Sequence, residues 1–419
     1  MIPPKNPTES QPGDSASARA LRGARIAVAA TFWLHASIFG TWAARIPAIK
    51  QSLDLSDQDL GLALGGLAVG LLIGTRLVGT MERQGRTSRA IKVVLIGQAV
   101  ALVGPAYAWN LVTLAAALIV LGVLGGALDV LMNVHAVAVE RRYGRSIMSG
   151  FHGLWSVGSM GSGLLAAVAA RTGVAPSLHF GAVAVVAIVL SLPLLNGLLP
   201  ADLESATAGH RAEHHWAGGP SASVLVVGLL AVMGFGAFMA EGAIADWSAV
   251  FLHEGRGASP GLAALGFTVF SAAMAASRVV ADRVAAKIGP VLLTRAGALL
   301  GVAGYLIFLL VSSPAVALAG FVIAGIGIGP AVPVMFSAAG NTGTANRASI
   351  LGIAVSAGYL GSVVGPMLIG GLAQYTGLTW ALVAPVIFLA LLAAAARLVG
   401  NAAGGPSPSA QLADRAPVV

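Results

Sequence analysis

The 419-residue chain contains no cysteine. That excludes disulfides, a thiolate nucleophile and any Cys-ligated metal. Charge is nearly as scarce. Only 10% of residues are Asp, Glu, Lys or Arg, against about 25% in soluble domains. No glycine-rich nucleotide loop and no Ser or His nucleophile motif occurs, so neither an enzyme nor ATP-driven transport is expected. The ten-residue alternation of a membrane barrel is missing as well. What the chain has is apolar surface: 57% of residues are hydrophobic, and 55 are glycine. A soluble globule of this length could not bury so much, so the chain reads as an all-α integral membrane protein.

A helix needs about 20 apolar residues to cross a bilayer. Twelve runs qualify: 25–45, 58–79, 90–109, 111–139, 146–170, 178–199, 223–252, 262–281, 291–311, 314–338, 350–375 and 380–399. Residues 1–24 are polar, with prolines at 3, 4, 7 and 12, and read as a cytoplasmic tail. Residues 201–222 read as a cytoplasmic linker between two six-helix bundles, 25–200 and 223–399, and 400–419 as a second cytoplasmic tail. His210, His214 and His215 in the linker are more simply solvated than metal-binding. No metal and no cofactor is expected.

With both termini inside, 20 of the 24 Lys and Arg residues fall on the cytoplasmic side. Arg45, Lys50, Arg171 and Arg256 remain outside. This asymmetry is the positive-inside rule. It explains the net charge of +8 as membrane orientation and excludes nucleic acid as a partner.

A polar string occurs twice. Arg76-Leu-Val-Gly-Thr-Met-Glu82-Arg83-Gln-Gly85-Arg86 ends one run, and Arg278-Val-Val-Ala-Asp282-Arg283-Val-Ala-Ala-Lys287-Ile-Gly289 ends another. Further matches keep an offset of about 200–205 residues: Trp42 with Trp247, Gly61 with Gly261, Gly122 with Gly325, Arg145 with Arg347. The chain is therefore a parallel duplication of a six-span unit, the architecture of many secondary transporters.

The loop Glu82-Arg83-Gln84-Gly85-Arg86, with twelve spans and a midpoint linker, resembles the major facilitator superfamily. That family's loop between spans two and three reads Gly-x-x-x-Asp-Arg-x-Gly-Arg-Arg. Here Val78 replaces its first Gly, Glu82 its Asp and Thr87 its last Arg. Trp42-Ala-Ala-Arg45-Ile-Pro47, Asp129-Val-Leu-Met-Asn133, Phe151-His152-Gly-Leu-Trp155-Ser156 and Glu241-Gly-Ala-Ile-Ala-Asp246-Trp247 resemble its rhizopine-transport (MosC-like) subgroup. The resemblance implies a multi-pass permease of the bacterial inner membrane for a sugar-, polyol- or inositol-like solute. Gly361-x-x-x-Gly365-Pro366-x-x-x-Gly370-Gly371 resembles the antiporter glycine-proline string, but on span eleven instead of span five. Close helix packing is the simpler reading.

Charges inside a bilayer usually face a cavity or a partner. Glu241, in the middle of span seven, is the expected proton-coupling carboxylate; a structural hydrogen bond to a neighbouring helix is the alternative. Asp246 lies five residues on, about 140° round the helix at ~100° per residue, so the two acids are expected at separate sites. Arg45 and Asp246 are proposed as an outer-gate pair, against the alternative that both reach water. Arg76, Glu82, Arg83 and Asp129, with Arg278, Asp282 and Arg283 as repeat mates, form the expected inner gate. His35, Phe39 and Trp42 share one face of span one, and His152, Trp155 and Ser159 one face of span five. His35, Trp42, His152, Trp155 and Asn133 are the candidate solute contacts; ordinary core packing is the alternative for each.

The leading expectation is a monomeric, proton-coupled symporter of a small solute working by alternating access, its partners being solute, protons and the lipid bilayer. A proton antiporter exporting drugs or metabolites is the second reading. A non-transporting receptor is the third, with no soluble domain to carry a signal.

Overall fold

A computed structural model describes residues 12–82, 87–144, 147–199, 224–331 and 347–402. Twelve principal helices run in chain order. They are α1 (Pro12–Ser52), α2 (Asp57–Glu82), α3 (Thr87–Ala101), α4 (Leu111–Tyr143), α5 (Met148–Arg171) and α6 (Pro176–Leu194). The second set is α7 (Val224–Val250), α8 (Leu265–Ile288), α9 (Pro290–Leu310), α10 (Pro314–Ile328), α11 (Arg347–Thr376) and α12 (Val383–Ala402). Among the described residues, 11 helical segments are long and apolar enough to cross a membrane; α10 is described over a shorter stretch. The linker histidines, Arg83 and residues 403–419 lie outside the described residues, and Glu82 and Asp282 are described in backbone alone.

Local chemistry sets the boundaries. Asn110 caps α4: its side chain accepts from Thr113 N at 2.9 Å, while its own N–H donates to the Thr113 hydroxyl at 3.2 Å. This reciprocal arrangement satisfies two N–H groups that the first turn leaves free. Gly289, at φ +83, ends α8 in a conformation that L side chains rarely adopt, and Pro290 then opens α9. Two helices run further than their hydropathy suggests. α1 begins at Pro12, within the expected tail, and continues past Arg45 to Ser52. α7 is extended by a wide turn at Phe251–Gly255.

In lipid, apolar burial does not drive helices together, so small residues and close packing must. Gly66, Gly70 and Gly74 bring α2 against the backbone of α4, and Gly122 and Gly126 return the contact from α4. The mate of Gly122 behaves alike, Gly325 of α10 lying on Phe270 of α8. α1 packs on α5 in the first half, as α7 packs on α11 in the second. These repeated pairings make two pseudo-symmetric six-helix bundles.

The bundles meet along two equivalent seams, α2 with α11 and α5 with α8. Gly61 faces Pro366 and Gly370 of α11, while its repeat mate Gly261 faces Ala167 and Arg171 of α5. Among the described glycines, every close approach between the bundles lies in the half of the molecule where α1 ends and α2 begins, hereafter the Lys50 end. The glycine-proline string of α11 is a two-sided packing seam: Gly361 and Gly365 meet Phe235 and Met239 of α7, and Gly370 meets Asp57 and Gly61 of α2. Tyr107, Trp109, Tyr375 and Trp380 are exposed in the α3–α4 and α11–α12 connections at the same end, where an aromatic belt marks a membrane surface.

Candidate functional site

A cavity of about 210 Å³ lies between the bundles. Phe39 and Trp42 of α1, Trp155 of α5, Phe238 of α7 and Phe267 of α8 form aromatic walls, with Leu67 of α2 and Ser362 of α11 completing them. The acids are Glu241 and Asp246, with Gly242 and Ala245 between them. The expectation that the two acids occupy separate sites is therefore wrong. Gly242 and Ala245 between them carry only a hydrogen and a methyl group, so one cavity spans the helix face and touches both.

The two carboxylates differ in their partners. Arg278 of α8 donates from Nη2 to Glu241 Oε2 at 3.1 Å and from Nε to the Gly329 carbonyl at 3.1 Å. Behind them the Tyr305 hydroxyl of α9 donates to the Ala240 carbonyl at 2.7 Å, which holds α7 in rotation. Asp246 has no ion pair or hydrogen bond among the described residues.

The proposed Arg45–Asp246 pair is not formed. Arg45 is buried and donates from Nη2 to the Val174 carbonyl. The reason is helix length: α1 and α7 continue past these residues, which leaves Arg45 and Asp246 one or two turns inside. The ion pair that bridges the bundles forms at the true ends. Lys50 of α1 meets Asp57 of α2 at 2.7 Å and also Glu254, which follows α7. Lys50 and Glu254 are 204 residues apart, within the repeat offset. Opposite charges at mated positions beside the pseudo-twofold axis were the sequence signal for this pair.

The other gating candidates divide. Arg278, expected at an inner gate, belongs to the Glu241 site. Arg76 is exposed and has no ion pair among the described residues; Arg283 is exposed and donates to the Val279 carbonyl of its own helix. Asp129 does not join Arg76. Asn133 Nδ2 donates to the Asp129 carbonyl at 2.8 Å and to its Oδ1 at 3.3 Å. The Asp129 carboxylate lies within electrostatic reach of His35, His152 and Tyr359.

Of the five candidate solute contacts, Trp42 and Trp155 line the cavity; His35, His152 and Asn133 do not. His35 is buried, and its Nδ1 donates to Gln98 Oε1 of α3 at 3.0 Å. His152 is exposed, packs edge-on against Phe32 at 5.2 Å between ring centroids, and senses both Asp129 and Arg278. It lies outside the lining of the aromatic cavity. Phe238, Phe267 and Ser362 carried no sequence signal, because an aromatic or Ser within an apolar run reads the same whether it faces lipid, core or cavity. Among the described residues no cluster of three or more His, Asp or Glu side chains suits a metal.

Comparison with known proteins agrees with this geometry. The profile of the Major Facilitator Superfamily matches residues 27–344. An uncharacterized MFS-type transporter of Yersinia pestis is 34% identical over 376 residues, covering 88% of this chain and 94% of the relative. Membrane protein MosC of Rhizobium meliloti is 32% identical over 359 residues, covering 85% of each. Among solved structures, a mutant of the nucleoside transporter NupG superposes with a TM-score of 0.73 at 12% identity, covering 89% of this chain and 98% of that one. At that identity the likeness is one of fold.

Proposed function

Because this chain belongs to the major facilitator superfamily, we propose that it is a secondary active transporter of the bacterial inner membrane, moving a small polar solute together with protons by alternating access. The observation that carries this reading is the cavity between the bundles, with Asp246 on its wall and no ion-pair partner for it among the described residues. A lone carboxylate in a low-dielectric site is costly as an ion. A proton neutralises it, and so does a positively charged group on the solute. Glu241 is already balanced by Arg278 and serves as the conformational partner: a proton on Glu241 releases Arg278 and loosens α7 from α8.

The solute class is a sugar-, polyol- or inositol-like ring. Trp42, Trp155 and the three Phe side chains offer flat apolar faces, and Ser362 with the carboxylates offers acceptors, a common division of labour in small-molecule sites. The Lys50 end is the outer face, held shut by the Lys50 ion pairs and the glycine seams, and the protein acts as a monomer. The two rocking units are residues 25–200 and 223–399, joined by the linker 201–222. The bilayer is their solvent.

Proteoliposomes with an inward proton gradient test this. Addition of the transported polyol should alkalinise the outer medium and concentrate solute inside. Asp246→Asn should lose accumulation while keeping solute exchange. Full gradient-driven accumulation by Asp246→Asn would remove Asp246 from coupling.

A further inference from the structure

A second cavity, of about 220 Å³, lies at the Lys50 end and is separate from the aromatic one. Arg45 and Gln51 of α1, Ala175 and Pro176 at the start of α6, and His253 and Ala263 from the second bundle line it; no carboxylate does. Arg45 is 4% exposed, and its Nε and Nη1 have no acceptor among the described residues. Its one bond, from Nη2, goes to the Val174 carbonyl, which is neutral. The buried His179 ring lies within electrostatic range of Arg45, and neither of its nitrogens has a protein partner. The first turn of α6, a helix of 19 residues, has no side-chain cap. Ala175 and Pro176 line the same cavity as Arg45, which brings the positive end of the helix dipole and the unpaired N–H groups that follow Pro176 close to the guanidinium.

A guanidinium this buried is costly without a counter-charge. Apart from the Val174 carbonyl, the surroundings provide donors and positive potential, and no carboxylate among the described residues lines the cavity. We propose that this cavity binds a small oxyanion, a carboxylate or phosphate, between Arg45 and the N-terminus of α6. The cavity has room for several molecules of water's size, about 30 Å³ each in the liquid, which suits a polyatomic ion better than a halide. Because His253 and Ala263 come from the other bundle, the bound anion contacts both bundles and favours the state closed at the Lys50 end. The site is distinct from the solute cavity and does not depend on which solute is carried.

Thermal unfolding of the purified full-length protein tests the site, with phosphate, formate or chloride titrated at fixed ionic strength against sodium bromide. Phosphate or formate should raise the midpoint saturably, and chloride should do so at least tenfold more weakly. Asp246→Asn should respond as the parent does. Arg45→Gln should need at least tenfold more anion. Should Arg45→Gln fail to fold, Ala175→Asp places a carboxylate at a helix N-cap, where it is well tolerated, and should abolish the response by supplying the counter-charge internally. A non-saturating response shared by all variants, or none at all, would overturn the site. Chloride acting as well as the oxyanions would overturn the assignment of ligand class.

Discussion

Arg278 on α8 holds Glu241 on α7 through an ion pair of 3.1 Å, with the two side chains 33% and 27% exposed. Repeat symmetry does not anticipate this pair, because Ala36 stands near the position equivalent to Glu241. The second bundle therefore has a charged lock between its first two helices that has no counterpart at the equivalent positions among the described residues of the first.

Removing one member of the pair strands the other. Arg278→Gln should destabilise the protein by on the order of 1–3 kcal/mol, between the worth of exposed and buried pairs. Glu241→Gln with Arg278→Gln should cost less than the sum of the single changes. A double-mutant cycle on thermal unfolding measures the difference, and strict additivity would show that the two do not interact energetically.

The Lys50 bridge to Asp57 and Glu254 should hold the Lys50 end, the proposed outer face, closed. Since the chain has no native cysteine, a single introduced one reports without background. Ala245→Cys on the cavity wall should react several-fold faster with an external, membrane-impermeant maleimide when Lys50→Met is added. An unchanged labelling rate would assign the bridge to static structure.

The α2–α11 seam leaves no room for a side chain. A Cβ on Gly61 would sit 2.6 Å from the Pro366 carbonyl oxygen, whereas one on Gly371 meets nothing within 4 Å. Gly61→Val should force the bundles apart at the Lys50 end and cut transport at least tenfold, while Gly371→Ala leaves it unchanged. Distances between spin labels at the ends of α2 and α11 should lengthen in the first variant alone.

Solute contact and packing can be separated at two candidates. Trp155 lines the cavity, so Trp155→Ala should raise KM about tenfold with protein yield retained. His35 is buried on Gln98, so His35→Ala should lower stability by about 1 kcal/mol or more, the usual scale for a lost buried hydrogen bond, with KM unchanged. The reverse pattern in transport and unfolding assays would exchange their roles.

Much of the fold could be read before the helices were seen. Twelve spans, their duplication and the inward-facing acids all follow from spacing, because a bilayer demands long apolar runs and penalises each charge within them. The site was partly readable. Trp42, Trp155 and Glu241 were singled out as aromatic or charged groups at cavity-facing positions and do line one cavity, whereas Asp246, expected at an outer gate, lines the same cavity instead. His35 and His152 carry the same local signal and lie elsewhere, since periodicity places a residue on a face and does not say which neighbour that face meets.

The amino-acid sequence by itself determined that this is a twelve-span duplicated membrane protein of a known superfamily, because hydropathy, charge placement and repeat offset are properties of the chain alone. Tertiary structure decided who pairs with whom. Arg278 takes Glu241 and Lys50 takes Glu254, while Arg45 and Asp246 stay apart. Those outcomes depend on how far each helix runs past its apolar core and how closely the glycine seams bring helices together. They are differences of one or two turns between segments some 200 residues apart, and no local pattern records them.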